Sequence, residues 1–136
     1  MLEVNYLAVL VSAVIGFIIG GFWYSQSGFG KQWMRLMKIS KKDVEKVKKK
    51  GMAKSMIIAF LSTIVMAYVL AIFIKYVGTS TIIGGVLVGF WIWLGFLATA
   101  GLSSILWEGR PFKLYLINVT HYLVVLVVMG AILAVW

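Results

Sequence analysis

Four apolar segments, each near the ~20 residues a helix needs to cross a ~30 Å hydrocarbon core, fill most of this 136-residue chain. They run over about 5–24, 53–76, 81–107 and 112–136, and no Lys, Arg, Asp or Glu lies in the middle of any of them. Few folds accept such a chain. Lipid offers the backbone no hydrogen bonds, so a crossing segment must be a helix or part of a closed barrel. These runs have helical length, not strand length. The chain therefore reads as all-α, a polytopic membrane protein whose four transmembrane helices form a bundle in one domain, 1–136. Composition agrees: 62% of residues are hydrophobic and 12% charged, against about 45–50% and about 25% in soluble domains.

The charges are as unevenly placed as the apolar residues. Lys31, Arg35, Lys38, Lys41, Lys42, Lys46, Lys48, Lys49, Lys50 and Lys54 lie in or beside the loop 25–52. Arg110 and Lys113 fall two spans later, hence on the same side, and Lys75 stands alone on the other. The positive-inside rule places the basic loop in the cytoplasm and both termini outside. A net charge of +9 raises the question of nucleic acid, but charge that abuts membrane spans points to the anionic inner leaflet instead, at roughly 1 kcal/mol per nearby Lys or Arg. The first apolar run follows the acidic flank Met1-Leu2-Glu3 and lacks a clear small-residue cleavage site. It is expected to remain a helix, not a cleaved signal peptide.

Within the loop, 40–50 reads as a short amphipathic basic helix. Ser40 suits its N-cap, Asp43 completes a capping-box-like pair, the lysine run meets the negative end of the dipole, and Gly51 stops it. The connections 77–80 and 108–111 are short and predict antiparallel pairing of span two with three and of three with four. Pro111 suits the first turn of the last helix.

Lipid is as apolar as leucine, so helices in a membrane associate where small residues let backbones approach. Ser12, Gly16 and Gly20 form such a stripe on span one, Ala67 lies on one in span two, and Gly85 and Gly89 on span three. Packing within the chain or between copies in a homo-oligomer are both open uses.

Polar groups at bilayer depth mark candidate sites. Span four carries Asn118 and His121, three residues apart and so on one face. Ser104, Glu108 and Arg110 approach the same end from span three and the turn after it, and Tyr24 from span one. Together they suggest a cytoplasm-facing pocket with Asn118 and His121 as floor and Glu108 and Arg110 as mouth. His121 has two roles open: a binding or proton-relay group that switches near neutrality, or a neutral imidazole bonded to Ser104 or Tyr24. Glu108 and Arg110 either pair across Gly109 or contact an anionic ligand. With no cysteine and one histidine, nothing calls for a metal or cofactor, and no catalytic constellation of a soluble enzyme is present.

The blocks Phe22-Trp23-Tyr24-Ser25, Phe29-Gly30-Lys31, Trp33-Met34, Glu108-Gly109-Arg110-Pro111, Ile117-Asn118 and Met129-Gly130-Ala131-Ile132-Leu133 resemble the domain-of-unknown-function 1761 family of small bacterial and archaeal membrane proteins. The resemblance spans nearly the whole chain and implies a four-helix membrane fold in the plasma membrane of a prokaryote. It implies no activity. Three functions remain open: a small oligomeric transporter or channel, an accessory subunit that binds another membrane protein or lipid, and, as a lesser alternative, a membrane-embedded enzyme or cofactor carrier.

Overall fold

The computed structural model describes residues 3–136; Met1 and Leu2, part of the acidic flank, lie outside the described residues. The chain is all-helical, with no strand among the described residues, and four of its helical stretches are long and apolar enough to span a membrane. The first is α1 (Tyr6–Trp23), capped where Asn5 Oδ1 accepts from the Ala8 amide at 3.1 Å. The second is α4 (Met52–Val77), which stops at Gly78 in the left-handed conformation (φ 78°). The fourth is α8 (Phe112–Val135), with Pro111 immediately before it as its N-cap residue.

Span three, Ile82–Leu106, departs from the single regular helix expected over 81–107. It begins as α5 (Ile82–Ile92), widens into a π-helical stretch at Trp93–Ala98, and ends as two short pieces, α6 (Thr99–Gly101) and α7 (Ser103–Leu106). A π-helix leaves carbonyls out of the regular ladder. Tyr115 of α8 donates its hydroxyl to the Ala98 carbonyl at 2.6 Å, within that irregular stretch.

The loop between the first two spans also holds more than the one helix expected. α3 (Lys41–Lys50) follows the reading, with its capping box closed in both directions between Ser40 and Asp43. Ahead of it lies α2 (Gly30–Met37), which ends in a left-handed turn at Lys38 (φ 58°) with the Ile39 amide donating back to the Met34 carbonyl at 2.9 Å. A tight turn leads into α2. Gly28 is obligatory there, since a Cβ would meet the Phe22 and Trp23 carbonyl oxygens at 2.5 and 2.6 Å.

The short link 78–81 does not make spans two and three close partners; contact between α4 and α5 is slight. Span three leans on α8, which touches all the other spans and is the centre of the bundle. The reason is local. Gly85 and Gly130 back onto each other, so that a Cβ on Gly85 would lie 2.7 Å from Ala134 Cβ, and a Cβ on Gly89 would lie 2.8 Å from the Leu126 carbonyl carbon. Only glycine permits helix axes that close.

The core is lopsided. The residues of its main buried cluster, including Ala13, Ala67, Leu70, Leu126 and Met129, all lie in the half of the bundle away from the lysines; Ala98, Leu114 and Val119 are buried toward the lysines, outside that cluster. At the lysine end the first eight residues of α4 are exposed and the helices part.

Candidate functional site

Where the helices part, three consecutive residues of α8 are each bonded by a side chain from another span. Trp23 donates its indole N–H to the Ile117 carbonyl at 3.0 Å, the Tyr24 hydroxyl donates to Asn118 Oδ1 at 2.7 Å, and Trp93 donates to the Val119 carbonyl at 2.7 Å. Spans one and three thus grip the same turn of span four from two sides. Indole and phenol groups are bulky, so this grip holds helices together without closing the space between them.

Two cavities flank the turn. One, of about 690 Å³, lies between the loop helices and the bundle. Trp33, Met34 and Met37 of α2, Val44 and Val47 of α3 and Met52 give it mainly apolar walls, Asp43 adds one carboxylate, and Tyr24 and Asn118 line its inner end. The other, of about 530 Å³, is a groove beside spans three and four, lined by Phe96, Leu97, Gly101, Ser104, Tyr122 and again Asn118. The π-helical stretch supplies Phe96 and Leu97, so the irregular backbone shapes this groove. Asn118 lines both cavities.

His121 sits one turn deeper. Its ring centre is 5.2 Å from that of Tyr24, 4.8 Å from Tyr122 and 6.2 Å from Trp23. A Cβ on Gly20 would lie 3.0 Å from its Nε2, so that glycine is what admits the imidazole. Neither expected hydrogen bond forms. The Tyr24 hydroxyl is taken by Asn118, and Ser104 Oγ donates to the Gly101 carbonyl at 2.9 Å. Both ring nitrogens are buried with no hydrogen-bond partner in the protein, as is Ser12 Oγ. An unpaired polar group in an apolar setting costs roughly 1–3 kcal/mol, so neither His121 nor Ser12 serves as a hydrogen-bonded tie between the helices.

The structure thus brings Tyr24, Asn118 and His121 together and puts Ser104 on the adjoining groove. Glu108 and Arg110 are exposed and line neither cavity, so they do not form the expected mouth. They do not pair with each other either. Arg110 Nη1 lies 3.3 Å from Met37 Sδ, tying the 107–111 turn to α2. Among the described residues no group of three or more His, Cys, Asp or Glu could hold a metal ion. The small residues singled out for packing are occupied within the chain: Gly16 lies against Val125 and Met129, Gly20 against His121, Gly85 and Gly89 against α8, and Ser12 and Ala67 are fully buried.

The reading from sequence missed α2 and the bonding role of Trp23 and Trp93. The signal for α2 was faint, no more than the apolar spacing of Trp33, Met34 and Met37; the indole bonds had none, because Trp23 at a span end is equally at home in the membrane interface and Trp93, in the middle of span three, reads as packing.

The family described as "Protein of unknown function (DUF1761)" matches residues 7–134. The chain belongs to this family. The match takes in Tyr24, Asn118, His121 and both loop helices, so the family's sequence pattern spans the site as well as the membrane helices. No curated protein and no solved structure matches the chain.

Proposed function

We propose that this protein is a small membrane carrier for a mainly apolar molecule bearing one polar group. The observation that carries the reading is that Asn118 lines both cavities while its side chain is held by Tyr24. On this reading the Tyr24–Asn118 hydrogen bond is the gate between a chamber under the loop helices and a groove along spans three and four. Ligand sites of this kind are concave, mostly apolar and of roughly 300–1,000 Å³, with a few placed polar groups.

His121 supports the reading, because a gate needs two arrangements. When Tyr24 leaves Asn118, the unpartnered imidazole beside it offers the hydroxyl a second partner. A ligand with a hydroxyl or carbonyl could then bond Asn118 in Tyr24's place. The positive-inside rule makes the lysine end cytoplasmic, both termini external, and the loop chamber the cytoplasmic entrance. The unit proposed is the single chain, since the small residues that invited an oligomer are used inside it.

Native mass spectrometry of protein purified from its own membrane tests this. The expected result is a retained non-lipid molecule on the wild type that drops by roughly three- to thirtyfold in Tyr24→Phe and Asn118→Leu, the range of one membrane hydrogen bond. Bare protein, or only lipid adducts unchanged by either substitution, would sink the carrier reading.

A further inference from the structure

The face of α2 turned away from the loop chamber lines a second site. Gln32, Arg35 and Leu36 of that helix and Lys113, Leu116 and Ile117 of α8 enclose a groove of about 380 Å³. Its two ends differ in chemistry. Arg35 and Lys113 place two cations and Gln32 adds an amide. Leu116, one turn along α8 from Lys113 and 42% exposed, and Ile117 continue the groove toward the bilayer as an apolar wall. No acidic residue lines it.

We infer that this groove binds one anionic phospholipid, its phosphate held by Arg35 and Lys113 and one acyl chain laid along Leu116 and Ile117. The charge pattern selects the ligand. Arg presents a planar fork that matches phosphate oxygens, and Lys a point charge. A cationic head above an apolar wall, at the level where a span leaves the membrane, matches the two halves of a phospholipid. A second copy of this chain fits poorly, because only 4 acidic residues face 13 basic ones. This site is separate from the carrier pathway: it shares no lining residue with either cavity. Its effect would be to fix α2, whose opposite face carries Trp33, Met34 and Met37 of the loop chamber.

The test uses the full-length protein in detergent, supplied in parallel with phosphatidylglycerol and with phosphatidylcholine of the same acyl chains, and read by native mass spectrometry. The expected result is one phosphatidylglycerol adduct that resists stripping, and none from phosphatidylcholine. The double variant Arg35→Gln/Lys113→Gln should lose affinity by roughly thirtyfold, the worth of two interfacial charges. Lys46→Gln/Lys48→Gln removes the same charge from α3, outside the groove, and should keep the adduct. Equal loss in both double variants would overturn the site in favour of diffuse surface attraction. Equal retention of both lipids would overturn the charge argument. Displacement by millimolar inorganic phosphate would show that the groove takes the phosphate alone. All four groove and control positions are exposed; Leu116→Gln, which keeps both cations, is expected to weaken the phosphatidylglycerol adduct as well, and an unchanged adduct there would overturn the acyl-chain placement.

Discussion

The two halves of this bundle are built on opposite rules. Away from the lysines, small residues let helices touch: Gly85 backs onto Gly130, Gly89 onto Leu126, and Ala13, Ala67 and Met129 have no exposed surface. Toward the lysines, Trp23, Tyr24 and Trp93 reach across to α8, and both cavities lined by Asn118 lie there. Apolar residues alone do not decide the difference, since lipid competes for every one of them on equal terms. What decides it is the size of the residue at the crossing. Glycine and alanine give dense contact, in which dispersion accumulates over many atom pairs. Indole and phenol give directed bonds and leave volume between them. The first half supplies the dense contacts, with one smaller groove beside Tyr6 and Tyr68, and the second supplies the two larger cavities.

The sharpest way to break this comparison is to place the same side chain on both kinds of surface. Gly85→Val forces a branched side chain against the Gly130 carbonyl and Ala134, and overpacking of that kind costs about 3 kcal/mol. Gly21→Val, on an exposed helix position with nothing within 4 Å of its Cβ, is expected to change stability by less than about 0.5 kcal/mol. Thermal unfolding in detergent, followed by tryptophan fluorescence, reads both. Similar losses at the two positions would mean that general helix effects, not the crossing, govern stability.

A smaller effect probes the open half. Tyr24→Phe removes the hydroxyl that bonds Asn118 and leaves the ring against Trp33. Hydrogen bonds between membrane helices contribute about 0.6–2 kcal/mol, so a loss near about 1 kcal/mol is expected. Combined with Asn118→Ala, the double variant should lose less than the sum of the two single variants, because the residues share one bond. Strict additivity would show that the bond does not connect spans one and four in the membrane.

Legibility from sequence follows the same division. The spans were readable because charge-free runs of helical length have one solution in lipid. α3 was readable because its stop and start signals, Ser40, Asp43 and Gly51, are local. Asn118 and His121 could be placed on one face from their spacing, and Tyr24 at their level from topology. α2 was not read, since a helix of 8 residues is too short to stand on propensity alone and depends on contacts with α8 and the turn at Arg110. The π-helical stretch was not read because Trp93–Ala98 is uniformly apolar and carries no periodicity to disturb. Its partner, the Tyr115 hydroxyl, comes from 17 residues away. Glu108 and Arg110 were misplaced at the pocket mouth because residue level along the membrane normal says nothing about which way a turn folds; α2, unseen in the sequence, takes that position.

The smallest expected effect lies in the loop, at the exposed start of α3. There the Ser40 backbone amide and then its hydroxyl bond the Asp43 carboxylate, with Oδ2 at 3.0 Å from each, and together they hold its pKa below the ordinary carboxylate value. A group whose folded pKa is depressed contributes stability above its unfolded pKa, about 3.9 for aspartate, and loses it as the pH falls through the lower folded value. Acidification below about pH 4 should therefore fray α3 from its N-terminus while the amides around Gly85 and Gly130, among apolar neighbours, stay protected. Carboxyl and amide NMR shifts in micelles follow both regions in one titration. Ser40→Ala should move the Asp43 midpoint back up, since it deletes the hydroxyl while the amide bond remains free to form. An unmoved midpoint would mean that the backbone amide alone sets the carboxylate's affinity, and the hydroxyl contributes only to starting the helix.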